Sequence, residues 1–228
     1  MKPQGFLAIW CEMSADDLAN YRNWLTLEHI ADRITSPGFL GMLLCTAVDN
    51  ERAHFFLYAT ESPTVLKAPP YLHILNNPSP WTKQLMVKFG PFDRAAGERV
   101  LKIGRGFGSH LLVSRVRGGG AVNPVVAREA LKALIDLPDT VGVRWMRNHR
   151  DTTGLQSAEK QMRKGVEGDF DHLLVVEALS EAGTAWAHAR LTSAVEGALP
   201  GATGHDSRIY RVIYGDAPHE GDTASADV

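Results

Sequence analysis

The chain repeats itself, and the repeat fixes what it can fold into. Ser36-Pro37-Gly38-Phe39-Leu40-Gly41-Met42 is echoed by Leu137-Pro138-Asp139-Thr140-Val141-Gly142-Val143, and the run His54 to Ser62 aligns without a gap on His172 to Ser180. Two matches in the same order define a duplicated unit of about half the chain, far longer than a solenoid repeat. Where one copy keeps polar residues that the other has lost, the polar copy is the place to look for chemistry.

Each copy reads as β-α-β-β-α-β, the ferredoxin-like order. In the first, Phe6 to Cys11 is a near-continuous apolar run, as expected of a strand covered on both faces. Ser14 caps a helix running to Ile34, which stops at Ser36-Pro37-Gly38. Strands follow at Phe39 to Ala47 and His54 to Thr60, joined at Asp49-Asn50-Glu51. A helical region from Pro63 breaks at Asn76-Asn77-Pro78 and restarts at Ser79-Pro80, carrying Trp81 to Phe89, and Arg99 to Ile103 closes the unit as a short strand. The second copy gives strands at His110–Val116, Val141–Met146, Phe170–Leu179 and Ile209–Tyr214, with helices at Pro124–Ile135 and Ala182–Val195. Its extra feature is the long polar stretch Asn148 to Asp169, a surface excursion or lid. The expected boundaries are 1–104 for the first unit, the active half, 105–216 for the degenerate second unit, and 217–228 for a small-residue-rich, acidic, disordered tail. Two such units can pair their sheets face to face, with helices outside.

Trp24 to Phe39 reads W-x4-H-I-x2-R-x3-P-G-F. With the strand spacing of both halves, this resembles the dimeric α+β barrel superfamily, in particular its EthD-like branch. The resemblance implies one intrachain barrel of the kind that two chains usually assemble, and a pocket between sheet and helices. It also implies a cofactor-independent lyase, isomerase or cyclase, and it admits haem, since the superfamily includes haem binders. His29, His73 or His172 would then be the ligand.

The candidate chemistry lies late in the first helix, at Glu28, His29, Asp32 and Arg33. Helical spacing puts Leu18, Tyr21, Leu25 and His29 on one face, while Leu27, Ile30 and Ile34 form a second stripe roughly opposite. A histidine facing the sheet can act as general acid or base, and Arg33 can hold a carboxylate or enolate. The repeat sets Ala130 opposite His29 and Leu134 opposite Arg33, so the second copy lacks the pair. Tyr21, Trp24, Tyr71, His73 and Trp81 are the candidate walls of a substrate pocket. His54 and His172 share a position and read as structural.

Composition excludes more than it includes. A net charge of −2 offers no basic patch for nucleic acid, and no apolar run is long enough for a membrane helix. Cys11 and Cys45 sit in apolar runs and read as buried thiols, which suits a reduced, cytoplasmic setting. Gly104-Arg105-Gly106-Phe107-Gly108 precedes a strand and lacks dinucleotide spacing, so it reads as the linker between copies. No nucleophile elbow or zinc motif is present. The expected function is proton transfer on a small aromatic or polyketide-like carbonyl or phenolic compound, without cofactor, by a monomer or homodimer. A ligand- or haem-binding protein without catalysis and a structural accessory subunit are the alternatives.

Overall fold

Strand pairing follows the repeat residue for residue. The computed structural model describes residues 4–118, 120–163 and 167–218. Strands β1 (Gly5–Glu12), β2 (Phe39–Ala47), β3 (Asn50–Thr60) and β4 (Phe92–Gly104) come from the first copy. The second supplies β5 (His110–Gly118), β6 (Thr140–Asn148), β7 (His172–Ala178) and β8 (Ala202–Asp216). They close a barrel in the order β1-β3-β2-β8-β5-β7-β6-β4, antiparallel throughout. Each copy contributes its four strands in the order 4-1-3-2, and the copies join at β2–β8 and β4–β6. Met42 faces Tyr58 just as Val143 faces Val176, and both hairpins slip register at the same place, after Phe39 and after Thr140. At the turn before that strand, Gly38 has φ 90° and its counterpart Asp139 has φ 60°, the one described non-glycine residue with positive φ.

Alternation along the strands sorts three cores. Phe6, Ala8, Trp10, Phe55, Leu57, Leu173 and Val175 point into the barrel, whereas Leu7, Cys11, Phe56 and Tyr58 point outward to the first copy's helices. Leu174, Val176 and Trp145 meet the second copy's helices. Cys11 and Cys45 therefore lie on opposite faces of the sheet as free, buried thiols.

The first helix departs from the sequence reading in two ways. It begins at Leu18, because Ser14 Oγ accepts the Asp17 amide in a preceding turn instead of capping the helix. It then runs as α1 (Leu18–Trp24), a π-helical turn (Leu25–His29) and α2 (Ile30–Ile34). The wider π turn advances the phase, so that Tyr21, Trp24, Leu25 and His29 are followed on the buried side by Ile30, Arg33 and Ile34. The two stripes become one twisted inner face, and Leu27 is left 73% exposed.

The remaining elements of the first copy are a 3₁₀ turn (Pro63–Lys67), α3 (Pro69–Asn76) and α4 (Pro80–Met86), with Ser79 capping α4 through Oγ. In the second copy, α5 (Pro124–Ile135) follows an Asn123 cap and α8 (Glu181–Ala198) a Ser180 cap. Strands β4 and β8 are much longer than expected, because closing the barrel recruits the flanking residues into ladders. The polar stretch between β6 and β7 carries α6 (Arg150–Thr153) and α7 (Ala158–Met162) and packs on the first copy's half. Beyond residue 218 the expected tail lies outside the described residues.

Candidate active site

A small cavity of about 30 Å³, room for one or two waters, lies between the outer face of the first copy's sheet and its helices. Strand alternation presents Phe56 and Tyr58 from β3, and Cys11 from β1. The first helix adds Tyr21, Trp24, His29 and Arg33, and α3 adds Tyr71. Leu155, Ser157, Glu159 and Arg163, from in and around α7, form the far wall.

Of the residues chosen from sequence, Tyr21, Trp24, His29, Arg33 and Tyr71 come together here. His73 and Trp81 do not line the cavity. His73 sits on the outer side of α3 with Nδ1 3.2 Å from Asn77 Nδ2, and Trp81 turns its Nε1 to Asn20 Oδ1 at 3.1 Å. Glu28 accepts from Trp24 Nε1, Thr82 Oγ1 and Ser79 Oγ, so it ties α4 to the first helix and fixes the Trp24 ring.

His29 is buried with its ring centroid 4.2 Å from that of Trp24, and its Nδ1 has no hydrogen-bond partner. Desolvation, reinforced by the positive charges of Arg33 and Arg163, holds its pKa well below the usual histidine value. The imidazole is therefore neutral at physiological pH. Arg33 is equally buried. Desolvation opposes its charge, but Glu159, Tyr71 and Tyr58 outweigh that and raise its pKa, with Nη2 donating to Glu159 Oε1. Burial drives the Cys11 thiol up to about 12, Tyr21 being its hydrogen-bond partner, and so removes it as a nucleophile.

Arg94 was not among the sequence-derived candidates. It stands on β4, where its Nη1 donates to the Thr152 and Thr153 carbonyls of α6 while Nη2 is buried without a partner. The Tyr58 hydroxyl is also buried and unpartnered. Three orphaned polar atoms on one aromatic-lined wall are what a polar ligand would satisfy. The two helical segments of the strap differ in how they are held. Thr153 Oγ1 anchors α6 by accepting from the Ala96 amide and donating to Asn148 Oδ1. Beyond Gly154, α7 rests on the Arg33–Glu159 pair, the bond from the Ala158 amide to Asn76 Oδ1, and the neighbouring Arg163 guanidinium 4.3 Å above the Phe92 ring.

No family model matches the chain, and no curated protein sequence does. Solved structures do. An anthrone oxidase-like protein superposes over 100% of this chain and 98% of its own, with TM-score 0.58 and 15% identity. The fold is that of the dimeric α+β barrels. A candidate monooxygenase from Fusobacterium nucleatum (TM-score 0.56, 9% identity, 95% of both chains) has the same architecture. So does a chlorite dismutase from Candidatus Nitrospira defluvii, solved with imidazole (TM-score 0.53, 9% identity, 92% of this chain and 91% of its own). At these identities the likeness concerns fold, and it does not single out the EthD-like branch. In this barrel fold the second copy's equivalent space is filled: Leu131, Leu134, Trp145, Leu174, Val176 and Leu191 pack there, each essentially inaccessible.

Haem does not fit this protein as built. With α7 in place the cavity beside His29 is far too small for a macrocycle, and His73 faces away from it. His172 spends both nitrogens, accepting from Trp145 Nε1 and donating to the Gly120 carbonyl. Among the described residues there is no cluster of metal-ligating side chains, and no helix is long and apolar enough to cross a membrane.

Proposed function

We propose that this protein is an enzyme that removes a proton from a small aromatic or polyketide-like carbonyl or phenolic compound, with His29 as the base. The observation that carries the reading is a neutral, desolvated imidazole with a free Nδ1 on an aromatic wall. The copy that lacks the histidine has its equivalent space packed with side chains.

Substrate enters when α7 lifts, since the cavity behind it holds no more than a water or two. A planar ring then lies among Trp24, Tyr58, Tyr71 and Phe56. Arg94 Nη2 and the Tyr58 hydroxyl meet its oxygens, and Arg33 joins them once Glu159 moves away. The low pKa keeps His29 unprotonated but makes it a weak base. The proton transfer is driven by the ion pair that forms between imidazolium and enolate or phenolate in a dry site, where the arginines hold the new negative charge. No cofactor is required for this step.

A carbanion so formed can expel a leaving group or rearrange, as in a lyase or isomerase, or it can react with dioxygen. The descriptions of two similar structures as a monooxygenase and an anthrone oxidase-like protein support trying oxygen first. The test uses anthrone and related phenolic ketones as probes, followed by absorbance and oxygen consumption, with His29→Gln as the variant. Expected is turnover by the native chain and a loss of at least about 100-fold in His29→Gln with the probe's Kd changed little. Turnover undiminished in His29→Gln removes the histidine from the mechanism. Product formed without oxygen uptake assigns the lyase or isomerase course.

A further inference from the structure

A second pocket opens at one mouth of the barrel, away from His29. It is a solvent-open cleft of about 820 Å³ between the β2–β8 and β4–β6 junctions, where the two copies meet. A register shift between Arg99 and Leu101 turns both Arg99 and Lys102 of β4 into this space. Lys102 is paired directly across the ladder with Arg144 of β6. Like charges placed opposite one another weaken a sheet, and Arg99 adds a third cation.

The compensation on the protein side is incomplete. Glu177 is fully buried, with Oε1 2.7 Å from Arg144 Nε, yet the two atoms are off the hydrogen-bond axis and both are left without a proper bond. Arg99 and Lys102 form no ion pair among the described residues. Asp216, on the opposite wall, accepts from the Tyr214 hydroxyl and the Ala217 amide. Desolvation and then the charge of Arg144 lower the pKa of both Arg99 and Lys102.

The inter-copy linker closes the arrangement. Gly104 and Gly106 take positive φ, and this bends the chain so that the Phe107 ring, 66% exposed, stands 5.5 Å from the Arg144 guanidinium and 5.9 Å from Lys102 Nζ. With Leu40 and Leu43 on the rim, the mouth offers a cationic floor beneath an apolar, aromatic lip.

We infer that this mouth is a binding site for an organic anion with a flat apolar body, its charged head on Arg99, Lys102 and Arg144 and its body against Phe107. The site is separate from the His29 cavity and does not depend on the reading of that cavity. The probe is 2-naphthoate, titrated calorimetrically into the full chain. Expected is saturable binding that weakens at least about tenfold in Arg99→Gln/Lys102→Gln and is unchanged in Arg94→Gln, whose residue serves the other cavity. Without probe, Lys102→Met should unfold at the same or a higher urea concentration, because it removes repulsion. The inference is overturned if 2-naphthoate fails to bind at millimolar concentration, or if the double variant binds as tightly as the native chain. It is also overturned if Arg94→Gln abolishes binding, which would place the probe beside His29, or if Lys102→Met is destabilised, which would make the cluster structural.

Discussion

Replacing Glu159 by alanine tests whether α7 is a movable wall. Glu159 is 2% exposed and its partner Arg33 is 3% exposed, so the pair is desolvated. If α7 is locked in place, Glu159→Ala strands a buried guanidinium, and the cost is about 3–5 kcal/mol of global stability. If α7 can lift, water reaches Arg33 and the loss stops once the docking energy of α7 is spent. The other contacts holding α7 are few: one bond from the Ala158 amide, the Met162 side chain against the first copy's core, and the neighbouring Arg163–Phe92 contact. Each is worth about 1 kcal/mol. We therefore expect a global loss of no more than about 3 kcal/mol by urea unfolding, all of it appearing as easier opening of α7. Amide exchange at 158–162, followed by mass spectrometry, should speed up on the order of 100-fold, the equivalent of about 3 kcal/mol. Exchange at α6, which Thr153 and Arg94 secure, should not change. A global loss of 3–5 kcal/mol with no local acceleration would refute a lifting α7 and require another way into the cavity.

Two further outcomes follow from the buried polar groups. Tyr58→Phe removes a hydroxyl that has no partner, so stability should hold or rise by about 1 kcal/mol while binding of a phenolic probe weakens; a destabilised Tyr58→Phe would show that the hydroxyl is satisfied within the fold. His54, with Nδ1 on the Arg52 carbonyl, has its pKa pushed down to about 4, chiefly by burial. The unfolded chain thus takes up this proton first as pH falls below about 6.5, and the native state loses about 1.4 kcal/mol per pH unit down to about 4. The stability gap between native protein and His54→Gln should shrink by that amount per unit between pH 6 and 5, and a constant gap would contradict the assignment.

The duplication and the barrel could be read from sequence because their signals are local. Gly41 and Gly142 mark the same slip in register, and the runs from His54 and His172 pair in the same way in both copies. Sequence alone predicts only Arg99 to Ile103 as this strand, because Asp93-Arg94-Ala95-Ala96-Gly97 has poor strand propensity; closure of the barrel, not local preference, makes it extended. Gly97 is needed there, since a Cβ would lie 2.0 Å from the Arg147 carbonyl oxygen. Arg94 lies in that segment, so local propensity gives no sign of its place on the cavity wall. The choice of the inner helix face faltered because a π turn inserts one residue that no 3.6-residue count anticipates. Glu159 was out of reach for another reason: it lies 126 residues from Arg33, and no periodicity links a strap in one copy to a helix in the other.

Fusing the copies has a consequence for how this site can change. In a barrel assembled from two identical chains, every substitution is made twice, once in each pocket. Here the wall bearing Glu159 and the floor bearing His29 belong to different repeats of one polypeptide. Either can drift while the other stays fixed, and one half can be given over entirely to bracing the other.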